Sequence, residues 1–480
     1  VRLSKSWLAV ATAMAVVTGG CNLVGGDSGA APAGITAEAL QGAAQDAEVR
    51  RFYEARQWQA AWNEEREQQL IETIRGAPRH GLNPATLLRD IEAAAGSRVE
   101  REVALTKAAL AYAGTLAHGA TDPTRLTPVY EVPRNEIDVA RGLAEAVGAN
   151  NVGQWIDGQA PQDEEYRALS TAYMQLVQAQ QRQQSQAGAT QQNVQGNAQA
   201  EEKAADDERR VEADRLPADE RAVILAVNME RRRWLERRAP ETRIDVNTAA
   251  SFLRYLRDGS VADQRVVVVG EPGWETPQLG SPIFRLVANP TWTVPESIEQ
   301  DELANLSPAQ LARRNMERDG ERLVQQPGPQ NALGLVKFDM ENDHAIYLHD
   351  TPAKQMFGRP DRHLSHGCVR VQDALGFARL IAQHEGKLDQ FERALRSGER
   401  QSGAELEPTY INLERRIPVR LLYHTAYLDG GQVTFTSDAY GWDAAVAEGL
   451  GLRAPGASSE ALQRARQKRA QRQQGADFGP

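Results

Sequence analysis

The arrangement of apolar and polar positions changes along this chain, and each change marks a boundary. Trp7 to Val17 is an almost uninterrupted apolar run behind Arg2 and Lys5, closed by the small residues Thr18-Gly19-Gly20 before Cys21. Residues 22–36 are rich in Gly, Ala, Ser and Pro, as expected of a tether. From Ala37 to about Val177, apolar residues recur at three- and four-residue spacing, as in Val99, Val103, Ala104, Ala108, Ala111 and Tyr112. That period predicts helices with one buried face. His80-Gly81-Leu82-Asn83-Pro84 and Thr121-Asp122-Pro123 read as junctions between them.

Residues 178–213 lose this periodicity. Gln, Ala, Gly and Asn dominate to Gln199, and a mixed-charge run follows from Glu201 to Asp214. Such a segment buries too little apolar surface to offset chain entropy, so a linker is predicted. Within 214–240, Ala222 to Leu235 reads as an amphipathic helix with Ile224, Leu225, Val227, Met229 and Trp234 on its apolar side.

After Pro240 the period becomes two. Arg243–Asn247, Ser251–Arg257, Arg265–Gly270, Pro282–Val287, Leu335–Phe338 and Ala345–His349 are predicted strands, with Asp258-Gly259 as a hairpin turn. A polar, helix-prone stretch between Pro290 and Pro329 interrupts them, placed as a lid over a cleft would be. Asp373 to His384 reads as a helix, and Val419–Tyr427 with Gln432–Thr436 as a late hairpin around Asp429-Gly430-Gly431. Residues 446–480 form a tail that is Gln- and Arg-rich from Ser458. The whole predicts a multi-domain α + β chain, helical first and mainly β afterwards.

Composition narrows the function. The 480 residues are 41% hydrophobic and 25% charged, with a net charge of -10. No basic stripe interleaved with aromatics occurs, which argues against nucleic acid as a partner. The first 21 residues have the layout of a secretory signal. Small residues directly before Cys21 are similar to the bacterial lipobox, which predicts lipidation of Cys21. Asn22 follows in place of the Asp that retains such lipoproteins at the inner membrane. The expected location is therefore the periplasm, anchored to the outer membrane by an N-terminal lipid.

Cys21 and Cys368 are the only two cysteines. With Cys21 used in the anchor, Cys368 is a lone thiol sent to an oxidising compartment, which points to chemistry. Five of the eight histidines lie close to it in sequence: His344, His349, His363, His366 and His384. A neighbouring imidazole can take the thiol's proton and hold a thiolate–imidazolium pair. Gly367 allows a tight turn that aims backbone N–H groups at an oxyanion. Arg370 can fork a substrate carboxylate, and the helix starting after Asp373 can lend its N-terminus to a thiolate. The same histidines could ligate zinc, although structural zinc sites favour several thiolates and no second cysteine is available. Spacing does not select the base: His366 adjoins the thiol, but a general base commonly arrives from another strand.

At these residues the chain resembles the L,D-transpeptidase (YkuD-type) family, in its large periplasmic YcbB-like subgroup. The motif is a strand histidine, here Tyr347-Leu348-His349-Asp350-Thr351-Pro352, then Ser365-His366-Gly367-Cys368-Val369-Arg370. Pro327-Gly328-Pro329-Gln330-Asn331-Ala332-Leu333-Gly334, Thr276-Pro277, Asn289 to Pro295, Asn228-Met229-Glu230-Arg231 and Tyr440-Gly441 match further characteristic segments. Phe52-Tyr53 and His80-Gly81-Leu82 resemble its scaffold region.

The resemblance implies a helical scaffold domain over 37–177 and a β-sandwich-like catalytic domain over 241–445, with a helical capping lobe inserted at about 291–326. It implies Cys368 as nucleophile, His349 as general base and acid, and Gly367 with Cys368 at the oxyanion. Ser365, His366 and Arg370 then serve as substrate or loop contacts. The implied reaction joins peptidoglycan stem peptides 3→3 through a thioester, releasing D-Ala, with no metal or cofactor. The same thioester resolved by water or by a protein amine would make an L,D-carboxypeptidase or a protein-anchoring enzyme, and an inactive envelope scaffold lipoprotein is the alternative of a different class. A monomer is the expected state. The small peptidoglycan-binding module common in the subgroup is not recognisable, and the Gln-rich stretch occupies its place.

Overall fold

The computed structural model describes residues 34–94, 96–189, 216–400 and 406–456, with scattered positions as far as 470. The signal, nearly all of the tether and most of the Gln-rich stretch lie outside these residues, as does most of the tail beyond Gly456. No helix among the described residues is long and apolar enough to cross a membrane.

The N-terminal domain is helical, as its period predicts. Its helices start where a short polar side chain can accept an otherwise orphaned backbone N–H: Asp46, Asn63, Asn83, Ser97, Asp122 and Asp138 all do so. The central helix α1 (Arg98–His118) buries Leu105, Ala109, Tyr112, Ala113 and Leu116. Its alanines present little bulk, so neighbouring helices pack close around it, contributing Phe52, Leu70, Leu143 and Val147 to one core. Helix α2 (Glu164–Ala189) departs from the expected boundary. It continues well past Val177, so the first part of the predicted linker is helical. Gln and Ala are good helix formers, and a helix already anchored by packing extends through them at little cost.

Helix α3 (Ala218–Trp234) was expected to bury one side only. Instead Asn228, Glu230, Arg231 and Arg233 are buried with the apolar set. Glu230 accepts from the backbone N–H and hydroxyl of Thr121 and from both Nε and Nη2 of Arg233, whose Nη1 donates to the His80 carbonyl at 2.9 Å and Tyr166 at 3.1 Å. On the other flank Arg231 pairs with Asp443, and Asn228 exchanges hydrogen bonds with Thr425. The helix is a spine gripped by the helical domain on one side and the β domain on the other. A two-class hydrophobic pattern misses it because its charges are paired inside the fold, although Arg231 Nε and Nη2 have no hydrogen-bond partner among the described residues.

The β domain is built on a ten-stranded sheet. Its strands are β1 (Arg243–Asn247), β2 (Phe252–Arg257), β3 (Ser260–Gly270) and β4 (Ile283–Ala288). Beyond the inserted lobe follow β5 (Val336–Met340), β6 (Leu348–His349), β7 (His363–Ser365), β8 (Val369–Val371), β9 (Thr409–Ile417) and β10 (Val419–Leu422). The order is β9-β4-β5-β6-β8-β3-β2-β1-β10, with β7 beside β3. Since β9 and β10 are parted only by Pro418, the two ends of this path meet and the sheet folds over one core. There Phe377 of helix α4 (Ala374–His384) meets Tyr255 of β2 and Phe338 of β5. The expected strand Val419–Tyr427 is two strands. Its first part pairs with β1, and Ala426–Asp429 turns away to pair with Gln432–Phe435.

The capping lobe is mixed rather than helical. Trp292–Thr293, Met316–Asp319 and Arg322–Gln325 form a three-stranded sheet, with short helical turns between the first two. Its small core holds Val294, Leu303, Met316 and Leu323. The hairpin's other face is solvated and charged, which hid its alternation. Asn331 ties the lobe shut at its base: its amide reaches the carbonyls of Pro290, Gln325 and Gln326 at 3.0–3.2 Å.

The spine predicts how the two domains are coupled. Asp443→Ala leaves Arg231 as an unpaired buried charge and is expected to cost about 3–5 kcal/mol. Replacing both partners by apolar residues should recover much of that. Thermal unfolding followed by circular dichroism checks it: the single variant must fall well below the double one.

Candidate active site

The site lies on one face of β4, β5, β6 and β8, and the two-residue alternation of these strands explains it. Val336, Phe338, Leu348 and Val369 point into the core and are fully buried. The alternate positions form the opposite face: Lys337 and Asp339 on β5, His349 on β6 and Arg370 on β8. Register aligns them, because Lys337 stands opposite His349 and His349 opposite Arg370. Tyr347 and Cys368 extend this face by one step beyond the strand ends, and the Val369 N–H donates to the Tyr347 carbonyl at 3.1 Å.

Cys368 is half-buried and not in a disulfide. Its thiol donates to the Ala345 carbonyl at 3.6 Å. Ala345 takes a left-handed conformation, φ 53°, uncommon for a residue with a Cβ, and so presents that carbonyl. The Tyr347 amide and hydroxyl both face the sulfur. The Tyr347 hydroxyl also meets the Trp292 indole of the lobe, so this phenol lies between thiol and cap. Tyr347 was not singled out from sequence, although Tyr347-Leu348-His349 carries the period-two signal that puts both rings on one face. Their centroids are 5.6 Å apart.

His349 is buried, and its Nδ1–H donates to the carbonyl of the next residue, Asp350, at 2.5 Å. That bond sets the tautomer and leaves Nε2 as the basic nitrogen. Asp350 is itself held: its backbone N–H bonds to Val336, and its carboxylate accepts from the Leu335 N–H at 3.0 Å and pairs with Lys354. Gly334 makes this possible. Its φ is +62°, and a Cβ there would lie 2.3 Å from the Asp350 carboxylate.

Burial, then the Arg370 guanidinium, pushes His349 down to about 3, while burial pushes the Cys368 thiol up against the pull of Lys337 and Arg370. Both shifts favour a neutral thiol and a neutral imidazole over the thiolate–imidazolium pair expected from sequence, because the loss of solvent outweighs the two nearby cations. Nor does a helix N-terminus assist. Helix α4 covers the core face of the sheet, and its N-cap Asp373 pairs with Arg265.

The loop before the thiol is shaped by contacts that sequence reasoning only partly identified. Gly367 has φ +110°. Its N–H donates to Ser365 Oγ at 3.2 Å, and Ser365 Oγ donates to the Cys368 carbonyl at 2.6 Å. The Gly367 carbonyl accepts from Thr276 Oγ1 at 2.7 Å, and Thr276 Oγ1 accepts from the Gly270 N–H at 2.9 Å. Tyr440, fully buried, donates to the Gly270 carbonyl at 2.7 Å and closes the set. Ser365, expected near the substrate, thus has its hydroxyl engaged inside the loop. Thr276 and Tyr440, quoted only as matching segments, hold the loop from behind.

The other histidines separate. His366 meets Trp274 edge to face at 5.4 Å. His363 binds Asp361 at 2.7 Å and the Thr248 carbonyl at 3.1 Å, beneath Tyr440. His344 pairs with Glu131 of the helical domain at 2.8 Å, and His384 meets Tyr255 at 3.3 Å. Arg370 donates to Met356 Sδ at 2.9 Å. Only His349 of the five shares the strand face of Cys368.

Two domain families match this chain. A family model described as a scaffold domain matches residues 47–172, and the YkuD L,D-transpeptidase catalytic domain matches residues 241–388. A putative L,D-transpeptidase of Haemophilus influenzae is 29% identical over 223 residues, spanning 42% of this chain and 44% of the relative. The match thus covers less than half of that protein. Among solved structures, the catalytic domain of the Enterococcus faecium L,D-transpeptidase acylated by ertapenem is 15% identical. It covers 38% of this chain and 99% of that one, with a TM-score of 0.20. The L,D-transpeptidase from Mycobacterium smegmatis is 12% identical, covering 39% and 60%, with a TM-score of 0.22. The assignment rests on the domain matches and on the residues above: this chain carries a YkuD-type L,D-transpeptidase catalytic domain behind a helical scaffold domain.

Proposed function

We propose that this protein is a peptidoglycan L,D-transpeptidase that forms 3→3 cross-links through a Cys368 thioester. One observation supports this most: His349 and Cys368 share a strand face, with the His349 tautomer set by Asp350 so that Nε2 is the base.

From the neutral pair, Nε2 takes the thiol proton as sulfur attacks the carbonyl of the third, diamino-acid residue of a donor stem. The tetrahedral oxyanion forms beside the Gly367–Cys368 loop. The terminal D-Ala leaves as its amine, taking the proton from His349, and a thioester remains. The side-chain amine of a second stem gives a proton to His349 and attacks the thioester. The new amide forms and the proton returns to sulfur. Proton abstraction concerted with attack suits a buried pair, because no resting ion pair must be solvated.

Tyr347 and Trp292 link the nucleophile to the capping lobe, so lobe position and thiol environment change together. The same reading puts the protein in the periplasm, in the YcbB-like subgroup, with Cys21 as a lipid anchor to the outer membrane.

Cys368→Ala is expected to abolish both D-Ala release and any carbapenem adduct, read by mass spectrometry. His349→Gln should lower turnover by about 10²–10⁴-fold with the fold intact. With disaccharide-tetrapeptide as substrate, dimers short of one D-Ala support transpeptidation, whereas tripeptide monomer alone would mean hydrolysis.

The pH profile follows from the depressed His349. Its neutral form persists in acid, so the rate of carbapenem acylation should change little from pH 7 down to about 5. An imidazole with an ordinary pKa would lose about tenfold by pH 5.5. The raised thiol gives the opposite limb: alkylation of Cys368 by iodoacetamide should climb through pH 9 without a plateau.

Lipidation is checked by labelling cells with a palmitate analogue. Label on the wild type and none on Cys21→Ala is the expected result.

A further inference from the structure

Next to the nucleophile, the same sheet face opens into a cleft of about 310 Å³ with no part in the steps above. Arg285, Lys337 and Asp339 line its floor, Tyr347 and Tyr410 its sides, and Trp292 of the capping lobe its roof. Register again explains the grouping, since Arg285 of β4 stands opposite Asp339 of β5.

The floor carries unbalanced charge. Asp339 pairs with both cations, with Arg285 through Nε and with Lys337 through Nζ, the latter at 2.8 Å. Two cations against one carboxylate leave one positive charge. A guanidinium and an ammonium together hold eight N–H donors, more than one carboxylate absorbs. Arg285 lies over the Tyr410 ring, 4.6 Å from its centroid, and Lys337 lies 4.2 Å from that of Tyr347. The cations are thus fixed in place, partly desolvated and open to the cleft, which is an arrangement for a carboxylate. Tyr347 is the shared wall between this charge and the thiol.

We infer that the cleft binds a carboxylate of the donor stem peptide, gripped by Arg285 and Lys337, with Asp339 and Tyr410 acting as positioning residues. This rests on the thioester reading of Cys368. The two residues flanking the scissile bond offer that group from two sources: the terminal D-Ala carboxylate, and the free carboxylate at the side-chain end of a diaminopimelate-type third residue. A lysine-type third residue lacks the second.

Three donor tetrapeptides separate the sources: one with both carboxylates free, one amidated at the side-chain end, and one ending in D-alaninamide. Release of D-Ala or its amide is measured with the full chain as wild type, Arg285→Gln and Arg285→Lys. Arg285→Gln is expected to raise KM for the free donor about tenfold or more, with kcat changing less. Arg285→Lys should fall between. Amidating the recognised carboxylate should raise the wild-type KM similarly and add little in Arg285→Gln. The amide that shows this non-additivity names the source.

Fully additive effects for both amides, with wild-type turnover intact, would overturn the cleft assignment alone. Wild type that releases nothing from any donor would overturn the thioester reading and the cleft with it. Should Arg285→Gln fail to fold, Arg285→Lys carries the cycle, and a wild-type KM indifferent to either amide decides against the site.

Discussion

Three adjoining strands, β5, β6 and β8, keep their apolar residues on one side and their polar residues on the other, and the candidate site depends on that sidedness. Val336, Phe338, Leu348 and Val369 are drawn into the core, which compels Lys337, Asp339, His349 and Arg370 to the opposite face. Slipping any one strand by a residue would exchange the two faces at the cost of its buried apolar set. The active-site register is therefore maintained by the hydrophobic core behind it.

That position costs the site solvent. The cations beside Cys368 and His349 both favour the thiolate, yet burial outweighs them and favours the uncharged pair. A neutral thiol is also less nucleophilic toward adventitious electrophiles and oxidants than a thiolate. In the mechanism proposed above, geometry rather than resting charge does the activating. The Asp350 carbonyl orients the imidazole, and the Ser365, Thr276, Gly270 and Tyr440 contacts hold the loop that presents the sulfur.

Two polar clusters at a distance keep this face in place. Asn331 closes the base of the capping lobe, so that Trp292 reaches Tyr347. The α3 spine, with Glu230 and Arg233 toward the helical domain and Arg231 toward Asp443, joins the scaffold to the sheet. Both are buried and hydrogen-bonded, so they specify one arrangement where apolar packing alone would tolerate several.

Local pattern in the sequence determined much of this. Period three to four gave the helical domain, period two gave most of the sheet, and the lone thiol with its histidines pointed to the candidate site. The motif around His349 and Cys368 singled out the candidate pair, because those residues need only short-range context to be recognised. Tertiary structure decided what depends on distant pairing. It extended α2 through Gln-rich sequence, split Val419–Tyr427 where the chain leaves one sheet for another, and buried the charged side of α3. It also brought Arg285, Lys337, Asp339 and Tyr410 to one cleft from three strands, through register that no local pattern encodes. The protonation state of the pair was beyond the sequence for the same reason: burial is set by what folds over a residue, and here that is the whole domain.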